Sequence, residues 1–432
     1  MKLTFFGGAT AILEHRGKRI LFDPWLDDGI FHGSWYHYPP LKIRPQELSQ
    51  ISLDYVYISH IHEDHCSAGT IKYINTDAEI IIMDRQPNFV EKFLKNYKFG
   101  FKKIHLIPPR TPTQIDVGLI VDILEPEPTH QLSNVIDSAL VIIWDDFIIF
   151  NSNDCSPYEE GLCYILNRYK KVDLALLPYA GGSGYPACYS NLSHDEKLEE
   201  KHRICTQYIQ GFVKTVELLQ PKYAMPFADQ YIIAGSRSDL NKYLSHPPSG
   251  ISVLEPLKQV GLADKLLLLN PSQSFDFESG QKIPDEPFEV YSERDRNNYI
   301  QNLRNCLYDH EKITIRRDVP LERLLKQARM RLWDAQKTQD FFPDFFYYID
   351  VIDWSNLFMI DLKVPDVRSL NYEHPNLQKP YLKMTVTSTL LVLILINHIS
   401  WNIADAALFI DYERQPNEYN PLVHAMLNFL KI

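Results

Sequence analysis

Residues Ser59 to His65 read S-H-I-H-E-D-H, three imidazoles and two carboxylates within seven positions. A β-rich run, Leu53 to Ser59, leads directly into them, so the histidines fall where a strand gives way to a loop. Alternate residues of extended backbone share a face, which lets His60 and His62 address one metal ion. Asp64 and His65 follow within reach of a second ion beside the first, and Asp64 suits either ligation or proton transfer. A polar surface turn is the plainer explanation of such a stretch, but H-x-H-x-D-H at a strand end is a compact ligand cluster, and the metal reading is preferred.

A centre of this kind needs ligands from distant sequence. His130 in E-P-T-H-Q and Asp154 after F-I-I-F-N-S-N both adjoin predicted strands. A carboxylate at position 154 is placed to bridge two ions about 3.5–4 Å apart; the simpler alternative is an Asp capping a helix that begins near Ser156. Asp23 in F-D-P-W is a candidate for orienting a ligand histidine, or else a turn former before Pro24. Tyr179, Ser183 and Tyr185 lie on the glycine-rich loop Y-A-G-G-S-G-Y-P, where backbone can approach a substrate closely. No G-K-[ST] follows, so the loop is no phosphate-binding P-loop. Cys66 reads as a small buried residue, and His398 in L-I-N-H-I-S-W as a core histidine.

Positioning these groups calls for an α/β architecture. Strand patterns recur at Thr10–His15 and from Lys18, around an Arg16-Gly17 turn, then at 78–83, 102–108, 119–124, 139–144, 147–152, 172–178 and 222–227. Residues 193–220 form a long helical pattern opened by Ser193 and Glu196, a capping box. The stretch S-H-P-P-S-G, 245–250, reads as a linker and divides a domain over 1–255 from an α+β domain over 256–432. The second part has a helix at L-E-R-L-L-K-Q-A-R-M-R-L-W-D-A-Q, strands at D-F-F-Y-Y-I-D-V-I, N-L-F-M-I-D-L and Y-L-K-M-T-V-T, an apolar helix at 389–396 and a last strand around A-A-L-F-I-D-Y-E. That apolar run is too short to span a bilayer, which needs about 20 residues. With 432 residues, 45% of them hydrophobic, a sizeable core is assured. The formal charge of -11 argues against binding a nucleic acid polymer. Six cysteines without paired spacing, and no leader-like N-terminus, lead to the expectation of a reduced, cytoplasmic protein.

The order H-x-H-x-D-H, later His, then Asp at a strand end resembles the metallo-β-lactamase superfamily. The resemblance implies a four-layer αββα sandwich with one or two divalent ions (Zn, Fe or Mn) at the edge of its sheets. It implies that His60, His62 and His130 hold the first ion, that Asp64 and His65 hold the second, and that Asp154 bridges. The opening G-G-A-T…I-L-F-D-P-W-L is similar to the branch containing N-acyl phosphatidylethanolamine phospholipase D and the UlaG-type lactonases. A nearer similarity, to the CMP-N-acetylneuraminic acid hydroxylase family, rests on L-F-D-P-W-L, S-H-I-H-E-D-H-C-S, Y-A-G-G-S-G-Y-P, M-P-F-A-D-Q-Y, S-W-N-I-A-D-A and Y-E-R-Q-P-N-E-Y-N-P in shared order. Two departures stand out. The C-x-H and C-x-x-H ligands of that family's Rieske module are missing, so electrons would come from a separate redox partner. The strand ending Pro226-Phe227-Ala228-Asp229-Gln230 lacks the histidine that many lactamase-fold enzymes carry there, which leaves Asp229 as a substitute ligand or the second ion absent.

The leading expectation is a metal-dependent hydrolase acting on a small anionic substrate. An iron-dependent oxygenase and a catalytically impaired scaffold are the alternatives, the C-terminal domain resembling sterol-carrier folds that hold apolar ligands or form dimers. Homo-oligomerisation stays open.

Overall fold

The computed structural model describes residues 1–127, 136–228 and 231–432. The chain opens with β1 (Lys2–Gly7), β2 (Thr10–His15) and β3 (Lys18–Phe22), a meander. The β2–β3 turn takes positive φ at both Arg16 and Gly17, the backbone a two-residue hairpin requires. There follow β4 (Trp35–His37), β5 (Tyr55–Tyr57), β6 (Glu79–Met83), β7 (Ile104–Ile107), β8 (Thr113–Asp116), β9 (Leu119–Leu124), β10 (Ala139–Trp144) and β11 (Phe147–Asn151). Next come β12 (Leu174–Pro178), β13 (Tyr223–Phe227), β14 (Tyr231–Ile233), β15 (Ser274–Asp276) and β16 (Gln281–Ile283).

Two sheets result. The first runs β16-β15-β1-β2-β3-β5-β6-β7, the second β13-β12-β11-β10-β9-β8. Strands β3, β5, β6 and β7 are parallel, and the continuous apolar run Ile80 to Met83 is what a strand buried on both faces demands. One core lies between the sheets, joining Leu3, Phe5, Tyr57 and Ile81 to Val121, Ile142, Leu176 and Phe227. A second core seats helices Ala68–Ile71 and Phe89–Asn96 on the outside of the first sheet. A third seats helices Glu159–Tyr169 and His194–Leu219 on the outside of the second. Helix, sheet, sheet, helix is the four-layer sandwich expected. Each fully buried Leu, Ile or Phe contributes about 1.5–3 kcal/mol to it.

The C-terminal part has its own five-stranded sheet, β19-β18-β17-β20-β21, from β17 (Phe346–Val351), β18 (Asn356–Asp361), β19 (Arg368–Leu370), β20 (Tyr381–Val386) and β21 (Asp411–Gln415). Helices Leu321–Gln339 and Ser388–Leu395 cover it. Its core continues into the first part through Trp25, Phe31, Trp35, Tyr189 and Tyr231.

Three expectations need correction. The 245–250 stretch is no linker: Ser245, His246 and Pro247 are buried, and Gly181 N–H donates to the Ser245 carbonyl. Proline and glycine here shape a packed turn. A division at 255 would cut the first sheet, since β15 pairs with β1 from Lys2–Asp276 to Thr4–Ser274; we propose the boundary after Ile283. His398 is exposed, just past the end of the apolar helix.

Candidate metal centre

The motif begins where β5 ends. Beyond Tyr57, Ile58 is still held by the Ile81 carbonyl, and the chain then leaves the sheet through Ser59 and turns, with Cys66 N–H bonded to the His62 carbonyl. His60 and His65 are buried, His62 and Asp64 half-buried. His60 Nε2 faces His62 Nδ1 at 2.9 Å. His65 Nε2 lies 3.5 Å from Asp64 Oδ2 and 3.3 Å from Asp154 Oδ2. Asp154 stands on the loop after β11; the following helix begins at Glu159 and is capped at Tyr158, so Asp154 is no helix cap. Glu63 turns elsewhere, accepting a 2.6 Å bond from Phe31 N–H, which accounts for the acid of the motif that does not face the centre.

Behind the histidines stands Asp23. Its carboxylate accepts from Ser59 N–H at 2.7 Å, Ser59 Oγ at 2.9 Å and His65 Nδ1 at 3.0 Å. The F-D-P-W turn carrying it is clamped by Thr10, whose Oγ1 donates to the Asp23 carbonyl and accepts from Trp25 N–H. Asp23 thus bonds directly to a histidine of the motif.

Four groups at or beside the centre escape the sequence reading. Asp137 places Oδ1 3.7 Å from His60 Nε2, and its carbonyl accepts from Arg85. Its place just before β10 is the local signal that marks it, as a strand end marks Asp154. Ser59 holds His60 Nδ1 at 2.9 Å. Tyr208, on the long helix, lies in the field of Asp154 and Asp137; a side chain at Gly181 would sit 2.7 Å from its ring. Asn402, from the C-terminal part, reaches His62 across 340 residues of sequence, a contact no local pattern announces. His130 and Asp229 lie outside the described residues. Of the glycine-rich loop, Tyr179 is buried in the core beneath the second sheet, Ser183 is exposed, and the Tyr185 ring lies under the Arg414 guanidinium at 4.7 Å.

The electrostatics favour a cation. Burial pushes the His60 imidazole well below the ordinary histidine value, and His65 and His62 push it further. Burial likewise depresses His62. Burial acts the same way on His65, but Asp154, Asp64 and Asp23 outweigh it and raise it well above the usual range. Burial drives Asp137 up, with Asp154 adding to the effect. The field that would charge His65 is the field that attracts a metal ion. Ligand atoms of His60, His65 and Asp154 lie within 4.8 Å of one another, as do those of His60, His62 and Asp137. Nitrogen and carboxylate donors of this kind suit Zn, Fe or Mn alike, so the residues present fit one or two divalent ions.

The model of the Beta-lactamase superfamily domain matches residues 2–121. Together with the layered sheets and the strand-end ligands, this shows that the first part of the chain carries a domain of the metallo-β-lactamase type. The chain is related to the CMP-N-acetylneuraminic acid hydroxylases. The Mus musculus protein of that name is 28% identical over 248 residues, which are 54% of this chain and 39% of that one. The Danio rerio protein is 26% identical over 245 residues, 53% of this chain and 38% of that one. The matched region thus spans about two fifths of these relatives' length. Among solved structures, Igni18, a metallo hydrolase of Ignicoccus hospitalis, aligns with TM-score 0.43 and 20% identity, covering 64% of this chain and 98% of that one. CmlA, a diiron beta-hydroxylase of Streptomyces venezuelae, aligns with TM-score 0.45 and 15% identity, covering 64% and 54%. Among the described residues no helix is long and apolar enough to cross a membrane.

Proposed function

We propose that the chain is a metal-dependent hydrolase of a small anionic substrate, of phosphodiester or nucleotide-sugar type. The observation that supports this most is the convergence of His60, His62, Asp64, His65 and Asp154 at the ends of β5 and β11. A divalent metal held by these residues would lower the pKa of a water toward about 7 and would offer a counter-charge to the developing oxyanion. The chain's own groups do the rest. Asp64, held ionised against its burial chiefly by His65, is placed to accept a proton at Oδ2. Asp23 fixes the His65 ring, and Ser59 fixes His60. The Tyr231 hydroxyl is buried without a hydrogen-bond partner among the described residues, in a region where Asp64 and Asp154 act on it. It is a donor for an anionic substrate oxygen. Trp35 stacks on its ring at 3.2 Å and holds that ring in place.

A second reading, an iron-dependent hydroxylase fed by a separate redox partner, is favoured by the names its curated relatives carry. One set of measurements separates the two. Metal content is determined on anaerobically purified protein. Turnover of bis(p-nitrophenyl) phosphate is then assayed without reductant, and oxygen uptake with a reduced ferredoxin. Reductant-free turnover that disappears in Asp154→Ala supports hydrolysis. Iron-dependent oxygen uptake that needs the ferredoxin overturns it in favour of the hydroxylase. A stoichiometric metal with neither activity sinks both and leaves a binding protein.

A further inference from the structure

Each histidine of the motif turns one ring nitrogen inward and has the other engaged by a polar group. For His60 that group is Ser59 and for His65 it is Asp23, both from the first part of the chain. For His62 it is Asn402, whose Nδ2 stands 3.1 Å from His62 Nε2. Asn402 sits on helix Trp401–Ala406 in the C-terminal part. That helix is pinned. Trp401 Nε1 donates to the Leu430 carbonyl, while the Ala406 and Ala407 carbonyls accept from Trp35 Nε1 and Ser34 Oγ of the first part, each at 2.8 Å.

The hydrogen bonds form a chain with one direction. Ser59 Oγ–H donates to Asp23, so Ser59 Oγ accepts from His60 Nδ1–H. His60 Nε2 is then a lone pair and accepts from His62 Nδ1–H at 2.9 Å. His62 Nε2 in turn is a lone pair, and the amide NH2 of Asn402 donates to it. In this chain of bonds every donor has an acceptor. A cation between His60 Nε2 and His62 Nδ1 changes it at one place only. Ligation needs a lone pair on Nδ1, and a neutral imidazole carries one N–H, so the proton moves to Nε2. His62 stays neutral and no proton is lost. An Nε2–H facing an amide NH2 is two donors in opposition. Rotation of the amide by 180° replaces Nδ2 with Oδ1 and restores the bond.

We infer that Asn402 is a positioning residue for His62, accepting its Nε2–H through Oδ1 when Nδ1 ligates a cation, so that the C-terminal part completes the centre. The inference rests on the reading that the centre binds a divalent ion. Outer-shell partners of ligand histidines are worth about 10–100-fold in metal affinity.

The test uses the full chain and zinc alone, with affinity measured by competition against a chromophoric chelator and hydrogen exchange followed over residues 401–406. Asn402→Ala removes the acceptor, and Asn402→Asp keeps an acceptor while deleting the donor. Since Asn402 is exposed, both variants are expected to melt within a degree or two of the parent when metal-free. The expected result is a roughly 10–100-fold loss of zinc affinity in Asn402→Ala and parental affinity, within about threefold, in Asn402→Asp. Zinc should slow exchange over 401–406 in the parent and in Asn402→Asp but not in Asn402→Ala. Parental affinity in Asn402→Ala, or equal weakness in both variants, overturns the role of Asn402 while leaving the metal centre standing. Failure of the parent itself to bind zinc, iron or manganese overturns both.

Discussion

The Asp23 carboxylate meets three donors at once, the Ser59 N–H, the Ser59 hydroxyl and His65 Nδ1–H, in a fully buried position. The His65 Nδ1–H has only a poorer alternative in Ser59 Oγ, at 3.4 Å, and turning the Ser59 hydroxyl to His60 Nδ1 would reverse the His60 tautomer, so the residue is not exchanged cheaply. Even Asn, with one oxygen and one NH2, would set a donor against a donor. Asp23→Ala is expected to lower the unfolding free energy by about 2–4 kcal/mol through the stranded donors and to weaken zinc binding by about 10–100-fold through the freed His65 ring. Urea denaturation of metal-free protein and chelator competition check the two effects separately. Parental zinc affinity in Asp23→Ala would show that His65 is held by other means. The sequence exposed this centre unevenly, for a physical reason. His60, His62, Asp64 and His65 are legible because a strand end forces neighbours in sequence to be neighbours in space. Asp154 is legible because it too follows a strand. Asn402 reaches the same spot through tertiary packing, and spacing along the chain carries no trace of that, while Asp137 is marked only by its place just before β10.

Elements with long, regular patterns follow from sequence, and short ones do not. The helix His194–Leu219 is announced at its first residue. Ser193 Oγ accepts from Glu196 N–H at 3.3 Å, and Glu196 Oε2 accepts from Ser193 N–H at 2.7 Å. Ser193→Ala removes the cap and is expected to cost about 1 kcal/mol in urea denaturation. Zinc affinity should stay unchanged, because the residues that bury this helix, Phe212, Val213, Val216 and Leu219, lie in its far half. A cost near zero would mean that the first turn frays in the parent. By contrast, β4 and β14 pair over only three residues each, Trp35 to His37 against Tyr231 to Ile233. Their pairing depends on the Trp35–Tyr231 stack and on anchorage of Trp35 to Ala406, which a three-residue apolar run cannot reveal. The same dependence governs 245–250. Its prolines and glycine mark a turn correctly, but burial of that turn against Gly181 is decided elsewhere in the chain.

Across the whole molecule, the two parts are joined by backbone as well as side chains. Tyr412 N–H donates to the Cys188 carbonyl and its own carbonyl accepts from Ser190 N–H, so β21 is stitched to the loop after the glycine-rich turn. Arg237 adds a two-pronged pair to Asp411 at 2.6 and 2.8 Å. Inside this seam lies Asp405, on the same helix as Asn402, with the Gly184 backbone close against it. Burial raises its carboxyl from 3.8 to about 6, with the Tyr412 hydrogen bond working in the opposite direction. The sign follows from proton counting. Between about pH 4 and pH 6 the folded state holds a proton that the unfolded state has released, so stability falls as pH rises through this window and stays lower above it. The shift sets an upper bound of about 3 kcal/mol on the penalty at neutral pH. Asp405→Asn keeps an acceptor for Tyr412 and carries no charge. It is expected to melt higher than the parent at pH 7, with the difference closing as pH approaches 4. Melting curves of both proteins across pH 4–8 check this, and parallel curves would place the ionised Asp405 in a solvated rather than a desolvated seam. A stabilised variant would also show what the native residue costs: a charge kept at the junction of the two parts, one helical turn from the group that meets His62.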